Sequence, residues 1–210
     1  MLTEAERKRV ADAVRAAESG LAAEIVPCAF PQSSRYPESL WAGAAAGMSV
    51  MIGALYLVDS FRPLWLPLSR VILWIPAAGL AGAALGRWHG GFRRMMVGGR
   101  RMEEAVARRA KEVFFDRGIA RTTARDGVLI FASALERRVV VLADEGVRAK
   151  VDPKEWDAVV AAMTEPASEG RVADGLCAAV MAAAAVLQKR GFGGKSAGEL
   201  GDEPLEGDGR

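Results

Sequence analysis

The sequence is poor in the residues that catalytic and metal sites use most often. It has one histidine and two cysteines, Cys28 and Cys177, among 210 residues. A single histidine excludes poly-histidine metal sites and argues against a Ser-His-Asp hydrolase, while two cysteines build neither a disulfide framework nor a zinc cage. The 28 basic and 26 acidic side chains leave a net charge of +2, so no global positive field favours nucleic acid as a partner.

What the chain does have is an excess of apolar residues, 51% of the total, concentrated in two segments. Residues 39–58 carry no charged side chain, over the roughly 20 residues that a helix needs to cross a bilayer. Residues 64–86 form a second apolar segment, interrupted by Arg70 and two prolines. Buried core helices rarely run this far without a charge, so the pattern predicts a transmembrane helical hairpin in contact with the lipid bilayer.

The distribution of positive charge predicts the orientation of this hairpin. The connection between the two segments offers only Asp59 and Arg62. Because positive charge accumulates on the cytoplasmic side and the N-terminal segment lacks an apolar signal sequence, we expect both termini and the soluble part in the cytoplasm. The arginines that follow the second segment before the next acidic residue are Arg87, Arg93, Arg94, Arg100 and Arg101.

Four residues after the second segment have the chemistry of a membrane interface. Arginine and tryptophan side chains are enriched where a span meets the headgroups, so these residues either bind anionic headgroups or simply flank the span. The predicted interface residues are Arg87, Trp88, Arg93 and Arg94.

Each apolar segment also carries a small-xxx-small pattern. Gly43 and Gly47 lie in the first segment, and Gly82 and Gly86 in the second. Such glycine faces let two helices approach closely, either within one hairpin or between two chains. We therefore predict that these four glycines are helix-packing residues.

The soluble segments alternate between helical and strand patterns. Thr3 and Glu6 form a capping box that predicts a helix start, and residues 23–30 are typical of a strand. Within that strand Pro27 has no N–H to donate, which favours an edge strand or a bulge. Residues 127–133 and 137–143 are β-branched runs with a tight connection, which predicts a β-hairpin.

Together these elements predict an α/β fold, a sandwich of helices around a small mixed sheet that is interrupted by the transmembrane hairpin. The first two strands are expected to be parallel, since a helix connects them, and the hairpin is inserted in that crossover. The expected organisation is a first part of the domain at 1–38, the hairpin at 39–86, a basic glycine-rich interfacial linker at 87–100, a second part at 101–190 and a disordered tail at 191–210.

One end of the predicted sheet gathers acidic residues. A turn centred on Leu135 and Glu136 places Asp126 opposite Glu145 and beside Asp144. Hard carboxylate oxygens at this spacing favour Ca²⁺ or Mg²⁺, so these three acids are the candidate metal ligands. Neutralisation by Arg121 or Arg125, and ordinary solvation of acids at strand ends, are the alternatives that the sequence leaves open.

The chain resembles a known family over roughly residues 2–190. The segments that carry the resemblance are LTEAER near the start and AKEVFFDRGIARTTARDGVLIFASALERRVVVLADEGV from Ala110 to Val147. They are similar to the TPM domain family, and in particular to the branch in bacterial cytoplasmic (inner) membranes in which two spans interrupt the domain. The resemblance implies a TPM-like sandwich, a phosphatase label and Ca²⁺ binding, which is described for some members.

The resemblance also marks where this chain departs from the family. Pro27 and Cys28 interrupt a strand that is usually an uninterrupted apolar run, and the acid-led opening segment of secreted members is missing. The C-terminal Asn-Glu-Leu-Pro-Asp pattern of the membrane branch is reduced here to the five residues 198–202, GELGD.

Two functions follow from these observations, and no catalytic residue is assigned. The sequence offers no recognisable pairing of a nucleophile with a base, which favours a non-catalytic, membrane-anchored interaction or assembly module. Such a module would bind an unidentified membrane protein and no nucleic acid. The alternative is a weak phosphatase with a divalent cation on the acidic edge.

Overall fold

A computed structural model describes residues 2–61, 67–194 and 198–207. Two compact units divide the chain: Met1–Ser34 with Glu103–Arg210, here called the sheet unit, and Arg35–Met102, here called the hairpin unit. The expected connection between the two apolar segments lies largely in residues 62–66, outside the described residues. The sheet unit contains α1 (Glu4–Glu18), β1 (Glu24–Phe30), most of α5 (Gly99–Asp116), β2 (Gly127–Ser133), β3 (Arg138–Ala143), α6 (Glu145–Arg148), α7 (Trp156–Ser168), α8 (Val172–Lys189) and β4 (Leu205–Glu206); the hairpin unit contains α2 (Pro37–Phe61), α3 (Leu68–Trp88) and α4 (Gly90–Val97).

Local sequence signals set the limits of several elements. The Thr3 side chain accepts the backbone N–H of Glu6, and the Glu6 side chain accepts that of Thr3, which completes the capping box of α1. At the end of α5, Gly118 adopts a positive φ of 70°, which a glycine reaches without strain. Asp152 caps a short 3₁₀ turn that leads directly into α7.

The sheet has the strand order β3-β2-β1-β4, with β1 parallel to β2 and β4, and β2 antiparallel to β3. The parallel pairing of the first two strands and the hairpin of the next two are both confirmed. Val128 pairs with Ala143, which is the register expected from a turn at Leu135 and Glu136. The mixed sheet flanked by helices is the α/β sandwich that the sequence predicts.

Side chains of β2 alternate between two cores because successive residues of a strand point to opposite faces. Val128 and Ile130 belong to the core formed with α1, α7 and α8. Leu129 and Phe131 belong to the core that includes the apolar face of α5. All of β2 is buried, which explains why it reads as a continuous apolar run in the sequence.

Pro27 does not place β1 at the edge of the sheet, because β4 lies beyond it. The expectation of an edge strand is therefore wrong for β1 as a whole. Pairing with β4 involves only Cys28 and Ala29, so Pro27 itself has no β4 residue opposite it. A proline is tolerated at this position because the ladder on that side begins one residue later.

The described part of residues 191–210 is ordered, so the expectation of a disordered tail is wrong there. Gly193 forms an isolated bridge with Leu21, and Leu205 and Glu206 form β4. Gly-, Asp- and Glu-rich composition is typical of disorder because it buries little apolar surface. Here the acidic groups bind to donors of the folded domain instead. Residues 195–197 and 208–210 lie outside the described residues.

Three described helices are long and apolar enough to cross a membrane: α2, α3 from Arg70, and α8. α8 has a different role, because Leu176, Val180 and Leu187 are fully buried in the core of the sheet unit. By contrast, α2 and α3 expose large apolar side chains, such as Trp41 at 72% and Leu80 at 74%. An exposed apolar surface of this kind is what lipid covers in a membrane helix.

The segment 87–100, expected as a linker, is mostly helical. α3 continues to Trp88, α4 follows from Gly90 to Val97, and α5 begins at Gly99. His89 separates α3 from α4 and caps α4, since its Nδ1 accepts the backbone N–H of Phe92 at 3.2 Å. The glycines therefore mark the ends of short helices rather than an irregular connection.

Candidate functional site

The hairpin of β2 and β3 places Asp126 and Asp144 at one end of the sheet. The backbone N–H of Asp144 donates to the carbonyl oxygen of Gly127 at 2.9 Å, which continues the ladder to this end. Asp126 lies just before β2 and is buried, as is Asp144. Glu145 begins α6, and its side chain is exposed.

The three predicted metal ligands do not form a calcium site. Asp144 Oδ1 accepts the backbone N–H of Glu145 at 2.8 Å and so caps α6. Its other oxygen has no hydrogen bond, but the Nη1 atom of Arg125 lies 3.7 Å away, close enough for an ion pair. Within the described ranges, no three histidine, cysteine, aspartate or glutamate side chains converge as they would around a metal ion. A cation here would also be repelled by the Arg125 guanidinium, so these residues do not fit Ca²⁺.

Asp126 instead faces acids that come from elsewhere in the chain. Burial raises the pKa of Asp126, and the nearby carboxylates of Glu24 and Glu199 add to the rise. Its own backbone N–H donates to the hydroxyl of Thr122 at 3.1 Å, which fixes the turn before β2. The end of the sheet is therefore an acidic cluster in which β1, β2 and the C-terminal segment meet.

Glu24 is the centre of this cluster. It is 1% exposed and lies at the first position of β1, opposite Gly127 of β2. Its two carboxylate oxygens accept the backbone N–H groups of Glu199 and Leu200, at 2.6 Å and 2.7 Å. Hydrogen bonds to a charged acceptor are among the strongest in proteins, and a buried carboxylate requires them. Glu24 therefore holds the C-terminal segment on the sheet.

Glu18, at the end of α1, is the second buried acid of the cluster. Its Oε1 accepts the backbone N–H of Ile25 at 2.8 Å, which joins α1 to β1. Burial raises the pKa of Glu18 to about 7, helped by the carboxylates of Glu24 and Asp202 and opposed by the Ile25 hydrogen bond. This carboxyl group therefore titrates near neutral pH.

Sequence reasoning missed the C-terminal part of this site. Residues 198–207, here called the tail, run from the acidic cluster to β4. Asp202 bonds to Nε of Arg15 at 2.8 Å, and Glu206 bonds to Nη2 of Arg7 at 2.7 Å. The available signal was Leu200 and Leu205, the apolar residues of an otherwise polar segment, which pack against the core beneath β1.

The four predicted packing glycines lie where α2 and α3 meet. A Cβ atom placed on Gly47 would lie 2.2 Å from the carbonyl oxygen of Ala78, and one on Gly86 would lie 2.2 Å from that of Ser39. Gly43 and Gly82 face each other in the same way. The Ser39 hydroxyl lies 2.9 Å from the carbonyl oxygen of Gly86, so it bridges the two helices. The glycine positions thus bring the two backbones into direct contact.

The predicted interface residues divide into two groups. Arg87 and Trp88 are exposed, Trp88 at 80%. Arg93 turns back onto its own unit: its guanidinium carbon lies 5.8 Å from the Tyr36 ring centre, and its Nη2 donates to the carbonyl oxygen of Arg35 at 3.2 Å. Arg94 is half-buried on α4. Arg93 therefore has a structural role within the hairpin unit.

The cysteines and the histidine offer no reactive group. Burial raises the pKa of the Cys28 thiol to about 12, and it also raises the pKa of Cys177. A thiol with a raised pKa is a poor nucleophile at neutral pH. The only histidine, His89, uses Nδ1 to cap α4.

Comparison with known proteins agrees with this architecture. The chain is similar to the BA42 protein of the psychrophilic bacterium Bizionia argentinensis, solved by NMR, with a TM-score of 0.58 and 18% identity. The match covers 99% of this chain and 96% of that one, and at this identity it supports the fold alone. No curated protein matches the chain significantly. Residues 95–186 match the model of the TPM domain family, so the resemblance read from the sequence is confirmed over that part of the chain.

Proposed function

We propose that the protein is a membrane-anchored interaction module of a bacterial inner membrane, whose TPM domain faces the cytoplasm and binds a membrane protein partner without catalysing a reaction. The observation that carries this proposal is the insertion of two apolar, exposed helices inside the domain sequence. The chain leaves the sheet unit after Ser34 and returns to it at Glu103. Both ends of the membrane hairpin are joined to the domain. The domain is therefore restricted to the membrane surface, where its partners would be membrane proteins.

The chemistry of the described side chains supports a binding role. The two thiols have raised pKa values, the histidine is engaged in a helix cap, and the acidic cluster is covered by the tail. None of these groups is therefore an activated nucleophile. What the sheet unit does present is an edge that already binds an extended segment. A weak phosphatase, which the family label suggests, is the alternative function.

Two measurements on the full chain separate these functions. A photo-crosslinking amino acid at the exposed Lys111 position, in native membranes, is expected to give a discrete product with one membrane protein. The purified chain in nanodiscs is expected to release no phosphate from p-nitrophenyl phosphate, with or without Ca²⁺ or Mg²⁺. Phosphate release that is lost in an Asp126→Asn variant, with no specific crosslink, would favour the phosphatase instead.

A further inference from the structure

We infer that the edge of β1 is a binding site for an extended acidic peptide of a membrane partner, and that the chain's own tail occupies this site in cis. The site, here called the β1 groove, consists of the β1 edge, Glu24, and the flanking arginines Arg7 and Arg15 of α1. This inference rests on the proposed interaction function and specifies the chemistry of the partner.

Backbone recognition is the first feature of the groove. Glu24 is almost completely buried and accepts two successive backbone N–H groups, those of Glu199 and Leu200. Every residue except proline offers such a group, so this contact selects a main-chain bend, which turns two successive N–H groups to the same side, rather than a particular side chain.

Strand addition is the second feature. Leu205 and Glu206 pair in parallel with Cys28 and Ala29 of β1. Peptides that add a strand to a sheet edge gain affinity from the main chain and specificity from their side chains. Because β4 has only two residues, its ladder is short, and a competing peptide needs to break few hydrogen bonds to replace it.

Charge is the third feature, and it specifies an acidic ligand. Arg15 bonds to Asp202, and Arg7 bonds to Glu206; both arginine side chains are more than half exposed. The backbone N–H of Thr123 donates to the Glu199 carboxylate at 3.0 Å. The groove therefore has donors for three acidic side chains at relative positions 1, 4 and 8 of the bound segment.

The shape of the groove at its far end restricts which residue of the ligand can lie there. A Cβ atom on Gly207 would lie 1.5 Å from the Phe30 ring, so the ligand needs glycine there. An open cavity of about 540 Å³ adjoins Gly207 and is lined by Phe30, Arg109, Asp116 and Arg117 among others. A partner peptide that continues past this glycine would enter a cavity whose lining carries charges of both signs.

The tail and a partner peptide compete for the same contacts. A tethered segment has a high effective concentration, on the order of millimolar, so it masks the groove until a partner peptide binds more tightly. Exposed ion pairs such as those of Arg7 and Arg15 contribute little stability individually, which keeps the tail exchangeable. The tail thus competes with the partner peptide, and its own affinity for the groove sets the affinity that a partner needs in order to replace it.

The test uses the full chain in nanodiscs with a cleavable tail. A site for a specific protease replaces residues 195–197, so that the domain folds with its tail and is cut afterwards. The probe is a fluorescent peptide with the sequence of residues 198–207, GELGDEPLEG, and its binding is followed by anisotropy. We expect the cut protein to bind the probe at least tenfold more tightly than the uncut protein.

Charge reversal tests the specificity of this binding. The double substitution Arg7→Glu and Arg15→Glu in the cut protein is expected to lower its affinity for the probe at least tenfold. A probe carrying Asp202→Lys and Glu206→Lys is expected to recover affinity for that variant. Arg148→Glu, at an exposed arginine of α6, is the matched control and should change nothing.

Three results would overturn the inference. Equal binding by cut and uncut protein, or no binding after cleavage with the fold retained by circular dichroism, would show that the groove takes no peptide in trans. A dimer of the uncut chain that dissociates on cleavage would assign the groove to the tail of a second copy. If the Lys111 crosslink to a membrane protein persists in these cases, the proposed interaction function stands and only the groove is wrong.

Discussion

Gly43 of α2 and Gly82 of α3 are in backbone contact. A Cβ atom on Gly43 would lie 2.2 Å from the carbonyl oxygen of Gly82, and one on Gly82 would lie 2.1 Å from the carbonyl oxygen of Gly43. Neither oxygen belongs to a side chain that could rotate away. The close approach of the two helices therefore depends on the absence of side chains at both positions.

Gly82→Leu is expected to destabilise the hairpin by about 1–3 kcal/mol, because the helices must separate to admit the side chain. Gly53→Leu is the matched control, since no atom lies within 4 Å of a Cβ at that position of α2. Unfolding of the purified full chain in detergent, followed by circular dichroism, measures the difference. Equal loss of stability in the two variants would contradict a glycine contact between α2 and α3.

A disulfide experiment separates contact within one hairpin from contact between two chains. In a chain without Cys28 and Cys177, cysteines replace Met48 and Gly79, because a Cβ on Gly79 would lie 2.9 Å from the Met48 side chain. Oxidation is expected to give an intrachain crosslink. A dimer on a non-reducing gel, with no intrachain product, would assign the glycine face to an interface between copies.

Local patterns were sufficient to predict the hairpin of β2 and β3. The register of β2 and β3 follows from two β-branched runs and a short connection, and the structure pairs Val128 with Ala143 as expected. The capping box of α1 is equally local. Such features depend on residues a few positions apart, so a local sequence pattern is enough to predict them.

The tail and the acidic cluster could not be predicted in this way, because their partners are distant in the sequence. Glu24 and Leu200 are 176 positions apart, and Arg15 and Asp202 are 187 apart. The Gly-, Asp- and Glu-rich composition of the tail is typical of disorder, and only its tertiary partners order it. Asp126 and Asp144 were correctly placed at one end of the sheet, and the parallel pairing predicted for β1 and β2 brings Glu24 to the same end. The sequence did not reveal that Glu199 of the tail also lies near Asp126.

Glu24→Gln is expected to loosen the tail. The amide replaces one acceptor oxygen by a donor, which then faces the backbone N–H of Glu199 or Leu200. Loss of a hydrogen bond to a charged acceptor predicts about 1.5–3 kcal/mol of destabilisation. Thermal unfolding measures the stability, and the rate of limited proteolysis near residue 195 reports the state of the tail.

Glu203→Gln is the control for this change, since Glu203 belongs to the same segment and is exposed. It should leave both the unfolding transition and the proteolysis rate unchanged. If Glu24→Gln behaved like this control, the two backbone hydrogen bonds would have no role in holding the tail.

The orientation in the membrane is testable by cysteine labelling in intact cells. Asp59→Cys, near the end of α2, is expected to react with a membrane-impermeant maleimide, because the arginines after α3 favour a cytoplasmic position for the flanks. Lys111→Cys, exposed on α5, should react only after the cells are permeabilised. Labelling of Lys111→Cys in intact cells would show that the domain lies on the other side of the membrane.

The titration of Glu18 predicts how stability depends on pH. The folded protein holds the Glu18 proton up to a pKa of about 7, whereas the ordinary value of 4.5 applies when the chain is unfolded. Between these values the folded state binds more protons than the unfolded state, so stability falls as the pH rises from about 4.5 to 7 and stays low above it.

Glu18→Gln removes this penalty while keeping an oxygen acceptor for the Ile25 N–H. It is therefore expected to stabilise the chain at pH 8 by about 3 kcal/mol relative to its effect at pH 4. Chemical unfolding across this pH range, with the exposed Glu165→Gln as control, measures the slope. A slope that Glu18→Gln leaves unchanged would show that the ionisation of Glu18 is not coupled to folding.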